Sequence, residues 1–163
     1  MNTPRAYGFR KVTLSDLPLL TQWQSRPHVK EWWDASEPYS ESDLVDPRVA
    51  RCIVSHDAVP FAFMQDYTVH GWTDHHFAQL PDGTRGIDQF IGDAGMIGQG
   101  HGTAFIRQRM KHLFAAGAPV IATDPHPDNA RAIAVYRKLG FVPAGPPQDT
   151  QWGVILPMVA RRP

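Results

Sequence analysis

Residues 86–124 constrain the fold more than any other part of the chain. "GIDQFIGDA" (86–94) is β-rich, and "MIGQGHG" (96–102) carries glycine at three alternate positions. "TAFIRQRMKHLFAAG" (103–117) places Ile106, Met110 and Leu113 on one helical face and ends at Gly117. "PVIATD" (119–124) is again a short β-branched run. Strand, helix and strand in this order predict at least one parallel crossover in an α/β domain.

The glycines at 98, 100 and 102 leave the backbone almost bare where the helix starts. N–H groups at a helix start, with the positive end of its dipole, bind anions, and glycine lets a phosphate approach closely. A plain tight turn fits the same residues. A P-loop is excluded, because no G-K-[ST] follows. A dinucleotide fingerprint is excluded by the G-x-G-x-G spacing in mid-chain, after several antiparallel-looking strands.

The remaining elements complete the order βααβββαβαββ. "YGFRKV" (7–12) reads as a strand. "TLSDLPLLTQWQ" (13–24) is a helix with Leu17, Leu20 and Trp23 in phase, capped by Thr13 or Ser15. "PHVKEWWD" (27–34) is a second short helix with Pro27 in its first turn, and residues 35–48 read as a loop. "VARCIVSH" (49–56) and "VPFAFMQDYTVH" (59–70) are strands around a turn at Asp57 and Ala58. "DNARAIAVYRKLG" (128–140) is a helix with Asp128 as N-cap and Gly140 just past its end. "FVPAG" and "TQWGVILPMV" close the chain as strands.

Composition limits the function. The 163 residues suffice for a single domain, 1–163, with a sizeable core. Lys plus Arg and Asp plus Glu are 16 each, so no basic excess points to nucleic acid. The single Cys52 excludes an internal disulfide and a cysteine-based zinc site, and its strand context reads as core. No apolar run nears the ~20 residues needed to span a bilayer, and the N-terminus lacks an apolar signal core. A soluble, cytoplasmic protein is expected. His70, His75 and His76 lack a matching carboxylate pattern, so no metal site is expected and the segment reads as a solvated loop.

"DPHPDNARAIAVYRKLGF" (124–141) resembles the coenzyme-A-binding half of the GCN5-related N-acetyltransferases (GNAT). Asn129, Ala132, Tyr136, Lys138, Gly140 and Phe141 match the pattern N-x-x-A-x-x-x-Y-x-K-x-G-F. The family's glycine loop, R/Q-x-x-G-x-G/A, falls on Ile97 to Gly102; Gly100 and Gly102 fit, and Ile97 stands where Arg or Gln is usual. The resemblance implies a mixed α/β (α+β) sheet of about six to seven strands with about four helices, splayed in the middle for acetyl-coenzyme A. It implies that Gly98, Gln99, Gly100, His101, Gly102 and Thr103 cradle the pyrophosphate. Asn129 and Tyr136 would also meet the cofactor, with Tyr136 serving the departing sulfur.

"RGIDQFIG", "TDPHPDN" and "VKEWWD" resemble the aminoglycoside 6′-N-acetyltransferases within that superfamily. By that resemblance Asp88 and Asp124 face the acceptor's amino groups and Asp88 is the base. An acid within an apolar strand is costly unless partnered, so a structural ion pair is the other reading of Asp88. Trp32 and Trp33 point about 100° apart on a helix, so one is core and the other, Trp33, walls the acceptor pocket. Asp74 belongs to the expected acceptor site. Segment 71–82 departs from the subfamily's run of acids: it holds Asp74 and Asp82, with His75 and His76 in place of acids. The implied reaction is direct acetyl transfer to a small-molecule amine by a monomer or homodimer. A siderophore precursor, a polyamine or a non-enzymatic coenzyme-A sensor are the alternatives.

Overall fold

The computed structural model describes residues 5–33 and 38–163. Its strands are β1 (Tyr7–Lys11), β2 (Val49–His56), β3 (Val59–Thr68), β4 (Arg85–Ile91), β5 (Val120–Thr123), β6 (Val142–Pro143), β7 (Gln148–Thr150), β8 (Gly153–Ile155) and β9 (Met158–Arg161). The helices are α1 (Leu17–Gln24), α2 (Pro27–Lys30), α3 (Glu41–Leu44), α4 (His101–Ala115) and α5 (Ala130–Lys138). Seven strands form a mixed sheet in the order β1-β2-β3-β4-β5-β9-β6, and β7 pairs with β8 separately. The chain divides into two compact units, Met1–Gln65 with Gln89–Gln108, and Asp66–Asp88 with Arg109–Pro163.

In the first unit β1 lies antiparallel to β2, with Tyr7 opposite His56 and Lys11 opposite Cys52. The β2–β3 turn falls at Asp57 and Ala58, as the sequence predicts, and both have positive φ, 50° and 65°. That two-residue geometry matches the right-handed twist of a hairpin. α1 follows a short 3-10 turn at Leu14–Asp16. Asp16 accepts the Thr13 N–H at 2.8 Å and receives both Arg10 guanidinium nitrogens at 2.8 Å. The Arg10 hydrogen bonds pull its carboxyl down to about 2. Leu20 and Trp23, in phase as expected, are buried with Val12, Val29, Ile53, Phe63 and Phe90. Cys52 is only half-buried rather than core.

In the second unit β4 and β5 run parallel, pairing Arg85 with Ile121 and Gly86 with Ala122. This is the expected crossover, with α4 as its helix. The paired register ends there, and the Thr123 hydroxyl donates to the Ile87 carbonyl at 3.3 Å. β9 lies antiparallel to β5 and to β6. Asp66, 2% exposed, receives Arg85 at 2.6 Å and Arg109 at 2.7 Å. One buried carboxylate thus ties β3, β4 and α4 together within this unit. Removing one partner of such a cluster strands charge in the interior.

Several sequence expectations shift. The loop at 35–48 contains a helical turn, α3, where Ser40 caps Asp43. α4 begins at His101 and not Thr103. α5 is capped by Asn129, whose Oδ1 accepts the Ala132 N–H at 3.2 Å; Asp128 falls in the preceding turn. "TQWGVILPMV" is not one strand: Gly153 has φ +110° at the β7–β8 hairpin, and Pro157 separates β8 from β9.

Candidate active site

The glycine loop belongs to the first unit. Gly98 and Gly100 have φ of +76° and +83°, backbone that favours glycine over residues with a Cβ. Gly98, Gln99 and Gly100 are exposed, and a Cβ added at Gly98 would meet nothing within 4 Å. The Gly100 carbonyl accepts from Ala104 at 3.1 Å, opening α4. The N–H groups of His101, Gly102 and Thr103 therefore sit at the start of a 15-residue helix, where intrahelical acceptors run out. Arg5 donates to the Gln99 carbonyl at 2.5 Å and adds positive charge to the loop. A bare, left-handed backbone leading into a helix N-terminus fits a diphosphate.

The His101 side chain does not face outward. It is 6% exposed, with Nδ1 2.9 Å from the Tyr7 hydroxyl. Tyr7 is held in turn by Gln108, whose Nε2 donates to its carbonyl at 2.8 Å. Burial, then Arg5 and His56, lower the His101 pKa, so the ring is neutral at pH 7. With its ring buried against Tyr7, His101 offers an anion its backbone N–H. Gly100→Val is expected to raise the Kd for coenzyme A about tenfold, because a β-branched residue at positive φ is strained by ~1–3 kcal/mol. Calorimetric titration checks this, and an unchanged Kd would remove the loop from the cofactor site.

Four candidate groups lie in the second unit and share one electrostatic environment. Tyr67 is a buried phenol whose pKa is raised well above the usual value, by burial first and then by Asp88, Asp124 and Tyr136. It stays a protonated donor beside the two carboxylates. Gly86 makes room for it: a Cβ there would lie 2.2 Å from Tyr67 Cζ. Tyr136, on the last turns of α5, is 6% exposed and packs against Phe141 at 5.4 Å between ring centroids. Asp88 is half-buried on β4. Gly86, Ile87 and Phe90 are the buried positions of that strand.

Asp124 follows β5, and its Oδ2 lies 2.8 Å from His76 Nε2. This overturns the solvated-loop reading of the histidine segment. The His76 side chain is 6% exposed and stacks on His75 at 4.2 Å. His75 is itself 7% exposed, among Tyr67, Trp72, Phe77 and Trp152. Its Nδ1 accepts the Phe77 N–H at 3.1 Å. His70 remains exposed. Among the described residues, no three His, Cys, Asp or Glu side chains are grouped to hold a metal.

Burial of His75, reinforced by His76 and His70, lowers its pKa from 6.5 to about 4. The unfolded chain therefore binds a proton that the native state refuses. Stability is complete above about pH 6.5 and falls as pH drops toward 4. The melting temperature should be lower at pH 5 than at pH 7.5, and His75→Gln should flatten that difference. An equal slope in wild type and variant would contradict it.

Of the sequence-assigned acceptor residues, Asp74 is exposed in the loop after β3. The tryptophan pair is reversed in burial. Trp33 is the packed ring, 4.9 Å from Phe90 and 5.7 Å from Phe63, while Trp32 is 43% exposed. Sequence reasoning missed Tyr67, His76 and Gly86. The signal for Gly86 was present, since glycine inside a strand pattern marks a close approach.

Comparison with known proteins gives one answer. The family model of the acetyltransferase (GNAT) domain matches residues 13–148. An aminoglycoside N(6')-acetyltransferase type 1 of Klebsiella pneumoniae is 34% identical over 152 residues, covering 86% of this chain and 76% of that protein. The structure of the aminoglycoside acetyltransferase AAC(6')-Ib in complex with ribostamycin and coenzyme A superposes with a TM-score of 0.87 at 32% identity. The match covers 96% of this chain and 94% of that one. The same enzyme in complex with coenzyme A and kanamycin gives a TM-score of 0.85 at 34% identity, covering 96% and 95%.

Proposed function

The chain belongs to the GNAT acetyltransferases and is an acetyl-coenzyme-A-dependent N-acetyltransferase; from that premise we propose that its acceptor is the 6′-amino group of an aminoglycoside, acetylated in the cytoplasm. The observation that carries this reading is the acid pair Asp88 and Asp124, both of which act electrostatically on the buried Tyr67 phenol. Two carboxylates in one partly dry environment suit an acceptor bearing several ammonium groups. The similarity to an aminoglycoside N(6')-acetyltransferase over most of both chains supports the same acceptor.

Acetyl-coenzyme A supplies the acetyl group as a thioester. The backbone from Gly98 to Thr103 holds its pyrophosphate, and Asn129 stands at the start of α5 on the same motif as Tyr136. An alkyl amine has a pKa near ~10 and arrives protonated. Asp124 binds an ammonium group of the acceptor, and Asp88 takes the proton from the attacking amine. The nitrogen–carbon bond forms as the carbon–sulfur bond breaks. Tyr136 gives its phenolic proton to the departing sulfur, and the second proton shed by the acylated nitrogen restores the phenol. Asp74 belongs to the acceptor side of the site.

The regiochemistry tests this reading. Kanamycin acetylated by the enzyme should carry its new amide on the 6′ nitrogen, located by two-dimensional NMR of the purified product. An amide on a different nitrogen would overturn the 6′ assignment.

A further inference from the structure

We propose that His76 is a positioning residue which makes acceptor binding pH-sensitive, by holding one oxygen of the Asp124 carboxylate and neutralising it when protonated. This rests on Asp124 serving the acceptor, as set out above. Nε2 of His76 lies 2.8 Å from Asp124 Oδ2. An ionised carboxylate only accepts hydrogen bonds, so Nε2 carries the proton and donates. The other ring nitrogen, Nδ1, is buried and meets no hydrogen-bond partner among the described residues. The bond to Asp124 therefore sets the tautomer, while stacking on His75, a tilted contact with Phe77 and an edge contact with Trp152 fix the ring plane.

Two states of the carboxylate follow. With neutral His76, Asp124 keeps its full charge and offers Oδ1 to an acceptor ammonium. With His76 protonated, an imidazolium already pairs with that charge, and an incoming ammonium meets a neutral ion pair. The other groups around the pair do not reproduce this switch. His75 is held neutral by burial, with a pKa near 4. Tyr67 remains a neutral phenol, its pKa raised by burial and by the two aspartates. Asp88 also acts on Tyr67. Imidazole is the side-chain type whose charge ordinarily changes between pH 5 and 8.

The test is the KM for kanamycin between pH 8 and pH 5.5, in wild type and His76→Gln. Glutamine keeps a neutral donor for Asp124 at every pH. Wild-type KM should rise about tenfold more than the variant's across this range, the worth of one charge-assisted hydrogen bond. The KM for acetyl-coenzyme A, followed in parallel, should change equally in both. Coenzyme A binding and an unchanged melting temperature establish that the variant is folded. Parallel kanamycin profiles in the two proteins would overturn the role of His76 while leaving the acceptor intact. Turnover of other amines but of no aminoglycoside would overturn the acceptor reading and this inference with it.

Discussion

Asp88→Asn should lower kcat/KM for an aminoglycoside about 1000-fold at pH 7. The physical reason is the protonation state of the acceptor. Roughly one amine in a thousand is free base when the pKa lies three units above the working pH. A carboxylate that removes the proton within the complex lifts that restriction, and general bases contribute ~10²–10⁴-fold. Asparagine keeps the size and half-buried position of Asp88 but accepts no proton. The deficit should therefore shrink as pH rises toward the amine pKa, because more acceptor arrives already deprotonated. A pH profile of kcat/KM from 6 to 9.5 measures this. A deficit that is constant over the whole range would mean that Asp88 binds the acceptor without acting as base.

Tyr136→Phe should lower kcat about 100-fold, with the Kd for coenzyme A changed less than about twofold. Phenylalanine preserves the ring that packs on Phe141, so the end of α5 stays in place. What is lost is the proton for the departing sulfur, which matters only once the carbon–sulfur bond breaks. An interaction made chiefly in the transition state moves kcat and leaves ground-state binding alone. Equal losses in kcat and coenzyme A affinity would assign Tyr136 to packing instead. A substrate with a better thiol leaving group should recover part of the loss in the variant, since it needs less help from an acid.

The parts of the molecule legible in the sequence are those written in contiguous residues. The crossover shows because strand, glycine loop, helix and strand follow one another from β4 to β5. The motif from Asn129 to Phe141 shows because a helix fixes the spacing of its own side chains. Even there, the cap moved by one residue, since Asp128 is consumed by the turn in which the Asn129 N–H reaches the His126 carbonyl. What stayed hidden depends on residues far apart in sequence. His76 and Asp124 are separated by 48 positions, and no local pattern marks the pairing. A polar stretch with three histidines reads as solvated until Tyr67, Trp72 and Trp152 are brought around it. The tryptophan pair failed for the same reason: adjacency fixed the angle between Trp32 and Trp33, but Phe63 and Phe90 decided which ring would be covered.

The acid pair and the histidine beside it carry opposite implications for the acceptor. Asp88 and Asp124 favour a polycation, whereas His75 and His76 stand where the resembling subfamily carries acids. Burial resolves the conflict in part. His75 is neutral inside an aromatic cluster and neither attracts nor repels a cation. His76 donates to an acid that still keeps an open oxygen.

The most direct measurement is thiol release from acetyl-coenzyme A with the wild-type protein against kanamycin, tobramycin, spermidine, N-hydroxylysine and a lysine peptide. The account predicts release with kanamycin and tobramycin at a kcat/KM at least tenfold above any other amine. Release with spermidine, N-hydroxylysine or the peptide, and none with either aminoglycoside, would contradict it.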